Sequence, residues 1–336
     1  MRAITASELR DLVPMRDAVE LMKAVFRQYT DGETISPLRT PISMPDGSGV
    51  SLFMPAYIPA SESAPAASGA KVVSVYSGNL DAGLPTINSV VLLLDPTTGV
   101  PAGLIEGAAM TALRTGAVSG AATDLMARLE SAKLLVFGAG AQGVTQAAAV
   151  AAIRDLDMIA VYDPNEQMAQ SFAERLARWD ADASRLVSAI ASPKDVMQDV
   201  DIVCTATTSS TPVFEDTWVR PGTHISAVGS FQPTMQEIPV ETIKRARVAV
   251  DAIEAVLEET GDFIIPIERG ELSTDFLKIE LGHLVAGSAS GRDSADEITF
   301  FKSVGNAIQD MIVAGRAIDE ARRRDVGFDV DLGVES

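Results

Sequence analysis

The sequence predicts an α/β protein, with a mixed α+β segment followed by a parallel sheet wound with helices. Three observations carry this. Short strand-like runs fill the first third, a strand–turn–helix rhythm sets in at Lys133, and a glycine motif stands where that rhythm begins. Taking the elements in order, Pro14 can open a helix whose apolar residues Met15, Val19, Met22, Val25 and Phe26 fall at helical spacing. Asp31-Gly32 can stop it. Strand-like runs follow at residues 38–42, 50–54, 71–76, 87–94 and 101–105. Residues 59–69, PASESAPAASG, are small, polar and proline-bearing and read as a mobile surface loop. Asp95-Pro96-Thr97-Thr98-Gly99 reads as a hairpin turn, and a helix is expected over about residues 108–128. Beyond Lys133, apolar runs at residues 134–137, 158–162, 186–190, 202–205, 224–228 and 248–250 alternate with helical segments. That is the pattern of a parallel sheet covered on both faces. A last amphipathic helix, over about residues 303–323, is suited to packing back on the first domain.

Composition narrows the function. The 336 residues are enough for two domains, and 47% hydrophobic content fills their cores. A formal charge of −19 argues against nucleic acid or an anionic membrane surface as partner, although a few focused cations can still dominate a pocket. Cys204 is the single cysteine, so no intramolecular disulfide can form and a reducing compartment is expected. The N-terminal stretch carries acids and lacks a signal-like apolar core, and no run approaches the roughly 18 apolar residues of a membrane span. One cysteine and two histidines make a Cys/His metal site an unpromising reading, so no metal is expected. The expectation is a soluble, cytoplasmic protein.

Gly138, Ala139, Gly140, Ala141, Gln142 and Gly143 form GxGxxG between an apolar strand and a helix. Gly138 permits a tight turn, Gly140 lets backbone approach a pyrophosphate, and Gly143 allows close helix–strand packing. The next strand ends in Asp163, twenty residues after Gly143, where an acid binds both ribose hydroxyls and repels a 2′-phosphate. NAD(H) is therefore expected in preference to NADP(H). Asp163 can also serve as a helix cap. A later strand ends in Thr205, Ala206 and Thr207, small residues that suit a loop against a nucleotide or an ordinary Ser/Thr loop.

Three cations stand in uncharged surroundings. Arg39 lies in SPLRTPI, Lys71 opens AKVVSVY, and Arg114 lies in AAMTALRTGAVSGAA. A cation in such a setting needs a partner. A protein carboxylate is the usual one, but the absence of nearby acids suggests a partner that arrives with the substrate. Lys71, if desolvated beside two arginines, would have a lowered pKa suited to acid–base work. Glu106 could pair with Arg114 or cap the following helix, and the cap is the preferred reading. His224 reads as a satisfied strand residue and His283 as part of a turn. The stretch HISAVGSFQPTMQEIP reads as a strand running into a loop whose middle, Ser230 to Thr234, offers no Asp, Glu or His.

Taken in order, these pieces resemble the ornithine cyclodeaminase/μ-crystallin family over nearly the whole chain. The residues concerned are Pro37-Leu38-Arg39, Met54-Pro55, Lys71-Val72-Val73, MTALRT at 110–115, the glycine motif, the loop at 204–208, residues 224–229, and FKSVGNAIQD at 301–310. The resemblance implies a Rossmann-type dinucleotide-binding domain, residues 125–303. This would be inserted into an α+β substrate-binding and dimerisation domain, residues 1–124 plus 304–336. It implies that Arg39, Lys71 and Arg114 bind the α-carboxylate of an amino or imino acid against the nicotinamide. It further implies that Val228, Ser303, Val304 and Gly305 lie near that ring, and that the subunit forms a homodimer.

The sequence departs from the cyclodeaminases at Phe231, where they carry an aspartate that handles the substrate amine. Reduction of an imine needs less: an electrophilic C=N, a hydride at the right distance and a carboxylate clamp. Family members lacking the aspartate resemble its ketimine and imino-acid reductases. The expected activity is NADH-dependent reduction of an α-imino acid, such as pyrroline-2-carboxylate or iminosuccinate, to the L-amino acid. Arg39 and Arg114 would clamp the carboxylate, Lys71 would stand beside the nitrogen, and Ser230, Phe231 and Gln232 would shape the side-chain pocket. The alternatives, in order, are reductive amination as in alanine dehydrogenase members, ornithine cyclodeamination, and non-catalytic crystallin-like NAD(P) binding. The three cations argue against the last, since a pure nucleotide binder does not need them.

Overall fold

The computed structural model describes residues 1–331 and 333. The chain divides into two compact units: Met1–Arg114 together with the chain from Asn306 onward, and Thr115–Gly305. In chain order the first unit supplies β1 (Arg2–Ile4), β2 (Thr40–Ser43), β3 (Val50–Ile58), β4 (Ala67–Val75), β5 (Ile87–Leu94) and β6 (Pro101–Glu106). The second supplies β7 (Lys133–Phe137), β8 (Met158–Tyr162), β9 (Val187–Ala189), β10 (Ile202–Thr205), β11 (His224–Ala227), β12 (Arg247–Val250) and β13 (Thr299–Lys302). The chain then returns to the first unit for β14 (Phe328–Asp329).

The first unit holds a mixed seven-stranded sheet in the order β14-β1-β6-β5-β4-β3-β2. From β2 to β6 it is an antiparallel meander. The turn between β5 and β6 forms as its residues predict: one Asp95 oxygen accepts from the Thr97 and Thr98 amides, and Gly99 takes a φ of +74°. The helix Met15–Thr30 starts behind Pro14 and buries Met15, Val19, Met22, Val25 and Phe26. The C-terminal helix Ala307–Arg324 packs on the sheet of this same unit. A Cβ at Gly103 would stand 2.4 Å from Ile318 Cδ1, and one at Gly315 would stand 3.3 Å from Ala67 Cβ. These small residues explain a misreading, because residues 67–69 belong to β4 and not to a surface loop. Ala67 is small so that a helix can lie against it, and it is fully buried.

The second unit holds a seven-stranded sheet, parallel throughout, in the order β12-β13-β11-β10-β7-β8-β9. The chain runs outward from β7 through β8 to β9, then restarts on the other side of β7 at β10. The strand order therefore reverses between β7 and β10, where open parallel sheets bind ligands at the carboxyl ends of their strands. β13 escaped the sequence reading because its two aromatic residues are flanked by Thr299 and Lys302. Both are fully buried, Thr299 hydrogen-bonded to His224 and Lys302 ion-paired with Asp262, residues distant in sequence. The C-terminal helix starts at Ala307 and not near residue 303, because one Asp251 carboxylate oxygen holds Ser303, Val304 and Gly305 in a loop. Gly305 takes a φ of +89°, which a side chain would resist. No helix among the described residues is long and apolar enough to cross a membrane.

Candidate functional site

The glycine motif lies at the reversal point. Gly138 follows β7 with a φ of +93°, and a Cβ there would meet the Ala206 carbonyl oxygen at 2.5 Å. The turn after β7 therefore rests on the loop after β10. Gly140 caps the helix Ala141–Ile153, and a Cβ at this position would have no protein atom within 4 Å. The space a side chain would fill is open beside a helix N-terminus, as a pyrophosphate requires. Ala139 and Gly143 are buried, whereas Ala141 is exposed and Gln142 partly exposed. Asp163 accepts from the Ala139 amide at 2.7 Å and from the Asn165 amide at 2.9 Å. It does not cap the following helix; Asn165 does, accepting from the Gln167 and Met168 amides. Ties from Ala206 N–H to the Phe137 carbonyl, Val228 N–H to Thr205 and Ser303 N–H to Ala227 align these strand ends. The residues present thus fit a dinucleotide.

Gly143 gives this fit a direct test. A Cβ there would stand 1.9 Å from the Gly138 carbonyl oxygen, a backbone atom that cannot move independently of the turn. Gly143→Ala should cost about 2–3 kcal/mol and lower the melting temperature by roughly 5–10 °C, with weakened NADH binding by fluorescence titration. A variant melting with wild type would contradict this packing.

The loop after β11 holds an acid that its middle lacks. Glu237 is fully buried. Its Oε1 accepts from the Thr207 amide and hydroxyl at 2.7 and 2.9 Å, and its Oε2 from the Gly229 and Ser230 amides at 2.8 and 3.2 Å. Burial raises the Glu237 carboxyl above its usual range, while Lys302 pulls it down. Asp262 accepts from the amides of Glu237 and Ile238 and pairs with the buried Lys302 at 3.2 Å. One carboxylate thus ties the loop after β10 to the loop after β11. Ser230 is engaged inside this same loop. Its hydroxyl is buried, donating to the Met235 carbonyl at 2.6 Å and lying 2.8 Å from the Thr260 hydroxyl. Phe231 and Gln232 are exposed.

In the first unit, two of the three cations meet a carboxylate from far along the chain. Lys71 on β4 is 2% exposed, and its Nζ lies 2.8 Å from Asp310 Oδ2. Arg114 Nε lies 3.4 Å from Asp310 Oδ1, and its Nη1 donates to Gln309 Oε1 at 2.9 Å. The expectation that their partner arrives only with a substrate is corrected: a protein carboxylate is already in place. Burial pushes the Lys71 ammonium down to about 8, with Arg114 adding to the effect, Asp310 opposing it and Arg39 adding a smaller push. Arg39 thus stands close enough to Lys71 to be felt electrostatically, in the segment ahead of β2. Glu106 caps the helix Gly107–Met126 by accepting from the Ala108 and Ala109 amides, as its position suggests.

Sequence reasoning assigned no role to Asp310, Gln309 or Glu237. A signal for Asp310 exists in AIQDMIVAG, where a single acid interrupts an apolar helical face. His224 is structural, as read: its ring nitrogens meet Thr299 Oγ1 and Ser226 Oγ, and burial pushes its pKa down to about 3. His283 lies in the short helix Leu281–Val285 rather than in a turn. Among the described residues no group of His, Cys, Asp and Glu could hold a metal ion.

One unit carries a glycine turn of the dinucleotide type at the reversal point of a parallel sheet, and the other carries buried, carboxylate-paired cations; the chain is a nucleotide-dependent oxidoreductase. Residues 2–325 match the ornithine cyclodeaminase/mu-crystallin family, and the chain belongs to it. A Bacillus cereus Δ1-pyrroline-2-carboxylate reductase is 38% identical over 333 residues, covering 99% of this chain and 100% of its own. The solved Thermococcus litoralis Δ1-pyrroline-2-carboxylate reductase in complex with NADH and L-proline is 38% identical with a TM-score of 0.91. That match covers 98% of this chain and 100% of the other. An archaeal alanine dehydrogenase dimer with bound NAD gives a TM-score of 0.88 at 30% identity, over 99% of both chains.

Proposed function

We propose that this protein reduces an α-imino acid to the L-amino acid with NADH, and that Δ1-pyrroline-2-carboxylate is its preferred substrate. The observation that carries the reading is the buried set of Lys71, Arg114 and Asp310 in a family member whose substrate-amine aspartate is replaced by Phe231. When bound, NADH supplies the hydride that adds to the imine carbon. Arg39 and Arg114 hold the substrate carboxylate, and Lys71 presents its ammonium to the imine nitrogen. Gly138, Gly140 and the helix N-terminus after them hold the pyrophosphate, and Asp163 the adenosine ribose. Thr205, Ala206, Thr207, Val228 and the Ser303-Val304-Gly305 loop form the bed for the nicotinamide half. With Ser230 engaged inside its own loop, the exposed Phe231 and Gln232 are left to border the substrate's side chain. The absence of a cation at these two positions suits a cyclic imine better than a dicarboxylic one.

The first unit exposes Ile35, Leu38, Ile42, Phe53, Leu84 and Ile87, which supports a homodimer; light scattering of the purified protein reads this directly. The cytoplasm, with its supply of reduced cofactor, is the proposed location.

The deciding experiment follows NADH absorbance with Δ1-pyrroline-2-carboxylate, Δ1-piperideine-2-carboxylate and enzymatically generated iminosuccinate. Pyruvate with ammonia, and ornithine with NAD, run in parallel. Rapid loss of NADH with a cyclic imine and silence with ornithine is the expected outcome. Turnover of pyruvate with ammonia but of no preformed imine would instead favour an amino-acid dehydrogenase, the reading that likeness to the alanine dehydrogenase supports. Proline formed from ornithine would overturn the role given to Phe231.

A further inference from the structure

Two adjacent residues in the first turn of the C-terminal helix hold the buried cations Lys71 and Arg114 of the first unit. Asn306 caps this helix by accepting from the Ile308 amide, and Gln309 and Asp310 follow within the turn. Gln309 accepts from Arg114 at 2.9 Å, while Asp310 reaches Lys71 at 2.8 Å and Arg114 at 3.4 Å. Gln309 and Asp310 are both fully buried. A carboxylate without solvent is costly unless cations and dipoles replace the water. Here two cations and the positive end of an 18-residue helix do so. The groups facing the Lys71 ammonium are thus Asp310 from the C-terminal helix, Arg114 from the helix Gly107–Met126, and Arg39 from the segment ahead of β2.

We infer that Asp310 is the positioning residue that keeps Lys71 protonated and aimed for proton donation, an inference that rests on the imine-reductase reading above. Reducing a C=N bond to CH–NH consumes one hydride and one proton. The hydride comes from NADH, which becomes NAD⁺, and ends on carbon. The proton leaves Lys71 Nζ for the imine nitrogen, and water then reprotonates the neutral lysine. A lysine deep in protein and next to two guanidinium groups tends to lose its proton before it can do this. Of the groups facing Lys71, Asp310 alone favours the charged form. Gln309 performs the matching task for Arg114 by fixing its guanidinium from the same turn.

The test is the pH profile of kcat with saturating imine and NADH in wild type and Asp310→Asn. Wild type should be flat below about pH 7.5 and fall about tenfold per unit above about pH 8. In Asp310→Asn the falling limb should move down by about one unit or more. The variant would then lose roughly tenfold at pH 8 and recover much of this at pH 6. A uniform loss across pH with the limb unmoved would overturn the inference and leave Asp310 a packing residue. An independent readout is the Lys71 resonance in protein carrying ε-¹³C-lysine, assigned by its absence from Lys71→Arg. Its titration should also move down in Asp310→Asn. If wild type reduces no imine, the functional reading fails, and the lysine titration still decides whether Asp310 holds the charge. Should Asp310→Asn not fold, Asp310→Glu replaces it. That variant keeps the carboxylate, so the limb and the resonance must stay near wild type, and a marked downward move of either counts against the inference.

Discussion

Replacing Lys71 with methionine is expected to lower kcat/KM for imine reduction by about a thousandfold while leaving the protein folded. Methionine matches the length of the lysine stem and carries no charge into a position that is 2% exposed. Removing the ammonium leaves the buried Asp310 with only Arg114 at 3.4 Å as a partner, so the variant should lose about 3–5 kcal/mol of stability. Activity is therefore compared at a temperature where thermal unfolding shows both proteins folded, which separates loss of chemistry from loss of structure. The pH dependence gives a second, signed check. With Lys71 near 8 in the folded protein, the acid form required for donation is present below that value and lost above it. Wild-type activity should fall through this limb, and the residual activity of Lys71→Met should not. Stability runs the other way. Between about 8 and the ordinary lysine value of 10.5 the unfolded chain binds more protons than the folded one, so wild type should gain stability relative to Lys71→Met as pH rises through that window. A Lys71→Met enzyme retaining most of its kcat would remove the lysine from the chemistry and return it to a purely electrostatic clamp.

What could be read from the sequence was whatever is local. The helix from Met15, the hairpin at Asp95, the strand at residues 87–94 and the glycine turn all follow from neighbours within a few positions. The cations Arg39, Lys71 and Arg114 stood out for the same reason, since an uncharged neighbourhood is visible along the chain. Their partner was not, because Asp310 lies 239 residues from Lys71 by number and meets it only once the C-terminal helix packs on β4. The strand β13 was hidden by the same kind of distance. A run of Thr, two Phe and Lys looks like a weak element until Thr299 finds His224 and Lys302 finds Asp262. Sequence patterning reports burial of apolar residues well, but polar residues buried against distant partners leave no periodic trace.

The same blindness affected the loop after β11, and correcting it strengthens the functional argument. Read along the chain, Ser230 to Thr234 lacks an acid and Glu237 lies just beyond. The structure shows what that glutamate does, with four donors from Thr207, Gly229 and Ser230 filling both its oxygens. It has no oxygen to spare for a substrate amine. Glu237→Ala should therefore lose about 3–5 kcal/mol of folding stability by denaturant titration, because it strands those donors and leaves Asp262 and Lys302 without their neighbour. Glu237→Gln keeps the shape but turns one acceptor into a donor facing amide hydrogens. It should lose somewhat less stability, and NADH binding should weaken about tenfold as the two loops separate. Glu237 acting instead as the base for a substrate amine predicts a different pattern. Glu237→Gln would then keep wild-type stability and NADH affinity and lose only turnover. Because the two roles divide stability from turnover in opposite ways, one variant measured three times decides whether the loop's acid belongs to the fold or to the chemistry.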